Sequence, residues 1–174
     1  MTLSARGTQT RSLSSQTFAA AAEAHLDDVY GYLVYLTKNP LLAEDLAAET
    51  FEKALRLWRR FDPSRASART WLCQIARTTA LDWFRSEDRR RRREERAAAP
   101  EAADAAFAEG LSAELEAALA SLSAAEREVI ALRVLLELDG EEAARVLGIS
   151  PTAVSTRLSR ALKKLEERMG HVAV

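Results

Sequence analysis

The chain has 174 residues, 48% hydrophobic and 29% charged, with a formal net charge of −1 and one cysteine. This is ordinary globular composition for one domain or two small ones. Cys73, His25 and His171 are too few and too scattered for a disulfide or a zinc site, so neither metal nor cofactor is expected.

Helix formers dominate and no alternating β-branched run is long enough for a sheet, so the expected class is all-α. No segment has the length and apolarity of a membrane span, and residues 1–17 lack the apolar core of a signal peptide. A cytoplasmic protein without membrane insertion is expected. Near-neutral charge is unusual for a chain that grips DNA unaided, because that affinity comes from neutralising phosphates. Charge is segregated instead: Arg85, Arg89 to Arg93 and Arg96 form a basic block, with the acids mostly elsewhere. Weak DNA binding assisted by a larger partner is the expectation.

Residues 1–16 are Ser/Thr-rich and aperiodic, and read as a disordered tail. A helix follows over residues 17–38, with Phe18, Ala22, Leu26, Val29, Leu33 and Leu36 along one face, ended by Asn39-Pro40. The next, over residues 41–60, turns Ala47, Phe51, Ala54, Leu55 and Trp58 inward and Asp45, Glu49, Glu52 and Arg56 outward. Such an acidic ridge is either a solvated face or a dock for a basic helical partner.

Residues 61–67 break the pattern at the turn-forming Asp62-Pro63-Ser64. A long helix then runs from residue 68 through Trp83 and Phe84 into the arginine block. Trp71, Leu72, Ile75, Ala76, Thr79 and Trp83 form its buried stripe, leaving Arg69, Arg77, Leu81, Phe84 and Arg85 on other sides. Arginines among aromatics, preceded by a loop, suit single-stranded nucleic acid: cations follow the backbone and pockets hold unstacked bases. The competing reading makes the tryptophans core, which we favour for them, and the arginines a helix C-terminal cap.

Residues 97–110 are Ala-rich with little to bury and read as a flexible linker between two domains. A helix over residues 111–122 carries Leu115 and Leu119, and Ser123-Ala124-Ala125-Glu126 is a capping box opening another through Leu136. Ala143, Ala144 and Leu147 then precede a Gly148-Ile149 corner, and Ser150-Pro151 restarts the chain with Ser as N-cap and Pro at the first helical position. This is helix-turn-helix grammar, in a second domain over residues 111–170.

On its last helix, Val154, Leu158, Ala161, Leu162, Leu165 and Met169 share the packing side; Thr156, Ser159, Arg160, Lys163 and Glu167 share the other. Hydroxyls followed by Arg160, Lys163 and Lys164 suit the DNA major groove. An ordinary solvated helix is the plain alternative.

Four motifs in order, AEDLAAETFEKAL (Ala43 to Leu55), RTWLCQIARTTALDWFR (Arg69 to Arg85), LSAAEREVIALR (Leu122 to Arg133) and the helix-turn-helix, resemble the ECF (extracytoplasmic-function) sigma factors. These are minimal bacterial initiation factors with two small helical domains, here sigma region 2 over residues 17–96 and the four-helix sigma region 4 over residues 111–170. The resemblance implies a non-enzymatic protein that binds core RNA polymerase, at its beta-prime clamp and beta subunits, recognises promoter DNA and helps melt it. It implies that Asp45, Leu46, Glu49 and Glu52 dock on the clamp helices.

The minus-ten element would fall to Arg60, Phe61, Arg65, Arg69, Arg77, Thr78 and Arg85, with a base flipped from the non-template strand. The minus-thirty-five element would fall to Thr152, Ser155, Thr156, Arg157, Ser159, Arg160 and Lys163. The linker would thread toward the RNA exit region. An anti-sigma factor covering both domains is the partner the family implies, and the site of action is nucleoid-associated when polymerase is bound. Against the family pattern, Thr78 stands where Asn is common, Ala48 where Gln is frequent, and Thr152-Ala153 and Ser155 where Gly-Thr and a basic residue are frequent. A free-standing helix-turn-helix regulator acting without polymerase is the alternative, and it leaves the acidic ridge and the arginine helix without a role. A hydrolase using Cys73 and His25 is a remote third, because Cys73 sits in a helical run with no base beside it.

Overall fold

A computed structural model describes residues 17–94 and 112–170. The expected tail over residues 1–16, the linker over 97–110 and Arg96 lie outside the described residues. Those described form α1 (Phe18–Thr37), α2 (Pro40–Leu57), α3 (Ala68–Glu94), α4 (Ala113–Ala120), α5 (Ala124–Ile130), α6 (Gly140–Leu147) and α7 (Pro151–Gly170), with a 3-10 turn at Trp58–Arg60 and a π-helical turn at Ala131–Leu135. No strand occurs among them.

The N-terminal unit packs α1, α2 and α3 against one another. Lys38 turns left-handed at φ 54° and ends α1 by donating its N–H to Val34. Asn39 then caps α2 by accepting the Leu42 N–H at 3.2 Å, with Pro40 as the first helical residue. The pair that ends one helix thus starts the next, because proline's fixed φ suits a first turn and its missing N–H costs nothing there. On α2 the buried stripe is Ala43, Leu46, Ala47, Thr50 and Ala54. Leu55, expected inside, is 58% exposed, and Leu26 on α1 is 50% exposed; each lies beside the true stripe at the edge of a small bundle.

α3 departs from its expected pattern for a different reason. Besides Leu72, Ile75, Ala76 and Thr79, it buries Thr70, Cys73 and Ala80. One stripe meets α1 and α2, and a further side is covered by α6 of the C-terminal unit. The two units, expected to be separated by a flexible linker, are packed together, and their buried side chains form one continuous apolar cluster.

In the C-terminal unit, Ser123 caps α5 through the expected capping box, with its backbone N–H donating to Glu126 at 2.8 Å. The helix expected to continue to Leu136 widens after Ile130. Leu136 donates its N–H to Ala131 at 2.9 Å and Leu138 donates to Leu132 at 2.9 Å. The widened turn brings both Leu136 and Leu138 inward and leaves Val134 and Leu135 outside. Asp139 and Glu142 form a second capping box at the start of α6. Gly148 makes the corner at φ 68°, a conformation that a side chain would strain, and Ser150 accepts the Ala153 N–H at 3.2 Å as α7 begins.

On α7, Val154 and Ala161 are buried and Leu158 and Leu165 half-buried against the core. Leu162 and Met169, placed on the packing side by spacing alone, are each 46% exposed. The neighbouring α4 and α5 are short, so they cover only a narrow strip of a 20-residue helix.

Candidate nucleic-acid interface and polymerase-docking ridge

Three surfaces emerge from these helices. The first is the outer side of α7, where Thr152, Ser155, Thr156, Ser159, Arg160 and Lys163 are exposed and Arg157 is half-buried. Ser155 and Thr156 donate their hydroxyls to carbonyls one turn back, at 3.2 and 2.9 Å, which leaves their lone pairs outward. Between the starts of α5 and α7 lies an open cleft lined by Ser123, Glu126, Ser150, Thr152, Arg157 and Arg160 among others. Glu126 is not a free anion there: Lys164 reaches it at 2.6 Å, and this hydrogen bond with those from Ser123 holds its carboxyl down at about 2.

The second surface is the α2 ridge. Asp45, Glu49 and Glu52 are exposed as expected, with Glu49 paired to Lys53 at 2.6 Å and Glu52 to Arg56 at 2.8 Å. Leu46, expected on the docking face, is instead buried: it is 2% exposed and faces the core, because it falls on the same helical stripe as Ala43, Ala47 and Thr50.

The third surface is the loop over residues 61–67 with α3. Arg60 and Arg65 are exposed. Phe61 stacks on Trp58 with ring centroids 4.8 Å apart and meets Trp71 at 5.2 Å, while Trp58 also takes the edge of Phe18 at 5.6 Å. Asp62 accepts the Ser64 N–H at 2.9 Å and its hydroxyl at 2.7 Å, which fixes the turn and lowers the Asp62 pKa. Thr78 is exposed and donates back to the Ile75 carbonyl at 2.9 Å.

Two arginines expected to be open cations are engaged within the protein. Arg69 pairs with Asp28 of α1 at 2.7 Å. Arg77 donates from Nε and Nη2 to the two oxygens of Glu128, at 2.7 and 3.2 Å. Burial works against the Arg77 charge, but Glu128 outweighs it and the pKa rises. The basic block is also less segregated than its run of arginines implies: Arg85 pairs with Asp82, Arg90 with Glu87, and Arg91 and Arg92 with Asp88, all one helical turn apart. Cys73 is fully buried and burial pushes its thiol up to about 12, the opposite of what a nucleophile needs.

The comparisons match both units. Residues 21–90 match the Sigma-70 region 2 family, and residues 112–165 match Sigma-70, region 4. The ECF RNA polymerase sigma factor SigX of Bacillus subtilis (strain 168) is 30% identical over 164 residues, covering 88% of this chain and 84% of the relative. The chain belongs to the ECF sigma factor family.

Among other relatives, the RNA polymerase sigma factor CarQ of Myxococcus xanthus is 32% identical over 155 residues, covering 85% of this chain and 86% of CarQ. The fold is shared with the sigma factor RpoE in its complex with the anti-sigma factor NepR from Bartonella quintana, at TM-score 0.73, 24% identity and coverage of 88% and 96%. CnrH, in complex with the cytosolic domain of CnrY, aligns at TM-score 0.65 and 25% identity over 88% of each chain. As an ECF sigma factor the protein binds core RNA polymerase and recognises promoters; sigma factors are initiation factors, not enzymes. The match of residues 21–90 to region 2 favours a sigma factor over a regulator acting without polymerase.

This sigma factor carries a set of residues that its motifs did not single out. Tyr32 of α1 donates its hydroxyl to Glu128 at 2.9 Å, beside Arg77. Thr70 and Ser67 donate to Glu142 at 2.9 and 3.2 Å, and Gln74 donates to the Arg145 carbonyl at 2.9 Å. For Glu142 the signal that could have found it is the D-x-x-E spacing with Asp139, a capping box passed over in reading the sequence. Glu128, a carboxylate next to the buried Val129 and Ile130, had no such signal, because its partners are distant in sequence.

Proposed function

We propose that residues 17–96 act as sigma region 2 and residues 111–170 as sigma region 4, joined by a linker over residues 97–110. The ridge of Asp45, Glu49 and Glu52 docks on the beta-prime clamp helices, with Leu46 holding the helix in place. Arg60, Phe61, Arg65 and the outer side of α3, with Thr78 and Arg85 exposed and Arg69 and Arg77 held by Asp28 and Glu128, take the non-template strand of the minus-ten element. No catalytic group is needed there: extruding a base costs a few kcal/mol, which a pocket and backbone contacts offset.

On α7, Thr152, Ser155, Thr156, Arg157, Ser159, Arg160 and Lys163 read the minus-thirty-five element as duplex. The observation that carries this reading is the separation of surfaces: α7 presents hydroxyls and cations outward while α2 presents carboxylates, so one chain offers a DNA-facing and a polymerase-facing side. An anti-sigma factor is the further partner, in line with the complexes of RpoE with NepR and of CnrH with CnrY. The protein acts in the cytoplasm, at the nucleoid when polymerase-bound; no described helix is long and apolar enough to cross a membrane.

Runoff transcription with core polymerase over a promoter library tests the proposal. Start sites should share two elements at fixed spacing; transcripts with no common upstream sequence would overturn it.

A further inference from the structure

Three cations share one flank of α7. Arg157, Arg160 and Lys164 recur at spacings of three and four residues, which brings them to the same side of a helix. That side borders the cleft whose other wall is the start of α5, with Ser123 and Glu126. The cleft holds one carboxylate, and it takes the cation farthest along the helix: Lys164 Nζ donates to Glu126 Oε1 at 2.6 Å. Neither Arg157 nor Arg160 makes an ion pair among the described residues.

Glu126 is itself held in place. Its other oxygen accepts the Ser123 N–H at 2.8 Å and the Ser123 hydroxyl at 2.9 Å, and its side chain is 10% exposed against 51% for Lys164. Lys164 is therefore drawn to a fixed point on α5. With Lys164 half in water the pair adds little to stability; what a charge-assisted hydrogen bond this short adds is direction.

Direction is what α7 otherwise lacks. Only Val154 and Ala161 are buried along its 20 residues, and apolar contact is non-directional, so it leaves the helix free to roll and tilt. Its start is fixed by the Gly148 corner and the Ser150 cap. Lys164 lies about 20 Å farther along at the helical rise, and the residues assigned to the minus-thirty-five element, Thr152 to Lys163, all fall between these two points. A tilt of about 10° about the corner would move the far end by about 3 Å, enough to break a base contact.

We propose that Glu126 and Lys164 are positioning residues for minus-thirty-five recognition: the pair ties α7 to the cap of α5 and sets the angle at which Arg157, Arg160 and the hydroxyls beside them enter the duplex groove. Lys164, grouped by charge pattern with Arg160 and Lys163, thus acts on base choice without touching DNA. The inference rests on the assignment of α7 to that element.

Holoenzymes assembled from core polymerase and full-length variants test this on a promoter library randomised at the minus-thirty-five element. Lys164→Met keeps the aliphatic stem and removes the donor; Glu126→Gln keeps an oxygen for the Ser123 N–H and removes the charge; Lys164→Arg keeps a cationic donor. Lys164→Met and Glu126→Gln should each lower the ratio of best to worst base by about fivefold at contacted positions. The double variant should do no more than either alone, and Lys164→Arg should retain most of the wild-type preference. Lys164→Met, at a half-exposed position, keeps the fold even where Glu126→Gln weakens the α5 cap, and melting curves check both.

Base preference unchanged in both single variants would overturn the proposal. So would additive losses, which would mean that the two residues act separately. Uniform weakening by Lys164→Met at every sequence, with Glu126→Gln binding more tightly and with steeper salt dependence, would make Lys164 a phosphate contact that Glu126 restrains. A wild-type holoenzyme indifferent to the minus-thirty-five sequence would instead sink the assignment of α7 beneath it.

Discussion

Arg77 Nε stands 2.7 Å from Glu128 Oε1, joining the long helix of the N-terminal unit to the first turns of α5 in the other. The side chains are 23% and 11% exposed, so each charge is largely removed from water and depends on the other. Removing one partner of a fully buried pair costs about 3–5 kcal/mol; with Arg77 still partly hydrated, Glu128→Ala should cost about 1–3 kcal/mol. Chemical denaturation should change from one transition to two as the units uncouple. A single transition at unchanged midpoint would mean the pair contributes nothing to coupling.

Acid should loosen the C-terminal unit through Glu126. The hydrogen bond from Lys164, then those from Ser123, lower this carboxyl from 4.5 to about 2 in the folded protein. A depressed folded pKa gives stabilisation that is complete above the ordinary value and disappears as pH falls toward 2. Thermal melts between pH 5 and 2 should show a steeper loss for wild type than for Glu126→Gln. At pH 7 the same substitution should cost about 1 kcal/mol, the usual worth of a helix cap. Parallel pH profiles for the two proteins would contradict the role given to Lys164.

Charge reversal on the ridge separates docking from folding. Asp45 is exposed and Glu49 makes only the one-turn pair with Lys53, a contact of about 0.3–0.5 kcal/mol. Asp45→Lys with Glu49→Lys should therefore keep the helical content and melting temperature nearly unchanged while core polymerase binding weakens and becomes less sensitive to salt. Unaltered polymerase affinity would take the ridge out of the docking surface.

Arg160 is exposed on α7 beside the cleft shared with α5. Arg160→Ala should cost about 1–3 kcal/mol at particular minus-thirty-five base pairs and little at others. Transcription from a library randomised at that element reads this directly. A uniform loss over all sequences would place the guanidinium on a phosphate instead.

Cys73 should resist thiol reagents in the folded protein, since it is fully buried and its thiol is pushed up to about 12. Modification should follow global unfolding rather than precede it. Labelling at the rate of a free thiol under native conditions would show that the α3 interior opens locally.

The individual helices and their start signals were legible because they are written locally. Ser123 to Glu126, and Gly148 followed by Ser150-Pro151, each place caps and turns within a few residues, where backbone preference decides the outcome; in sequence Asn39-Pro40 reads only as the end of α1, and the structure adds its capping of α2. The exposed ridge of Asp45, Glu49 and Glu52 and the outer side of α7 were legible for the same reason: helical periodicity assigns faces without knowing the partner. Periodicity failed at the edges of those faces, at Leu26, Leu55, Leu162 and Met169, because how far a buried stripe spreads depends on the width of the neighbouring helix.

Only the tertiary structure decided which cations are free. Arg69 and Arg77 look alike in sequence to Arg60 and Arg65, yet the first two are engaged by Asp28 and Glu128, 41 and 51 residues away. It also decided that the two units meet, with Thr70, Cys73 and Ala80 buried on a helix whose pattern promised one packed stripe. A carboxylate reaching across from another unit leaves no periodic trace in the chain, since ion pairing depends on distance in space and not on spacing in sequence.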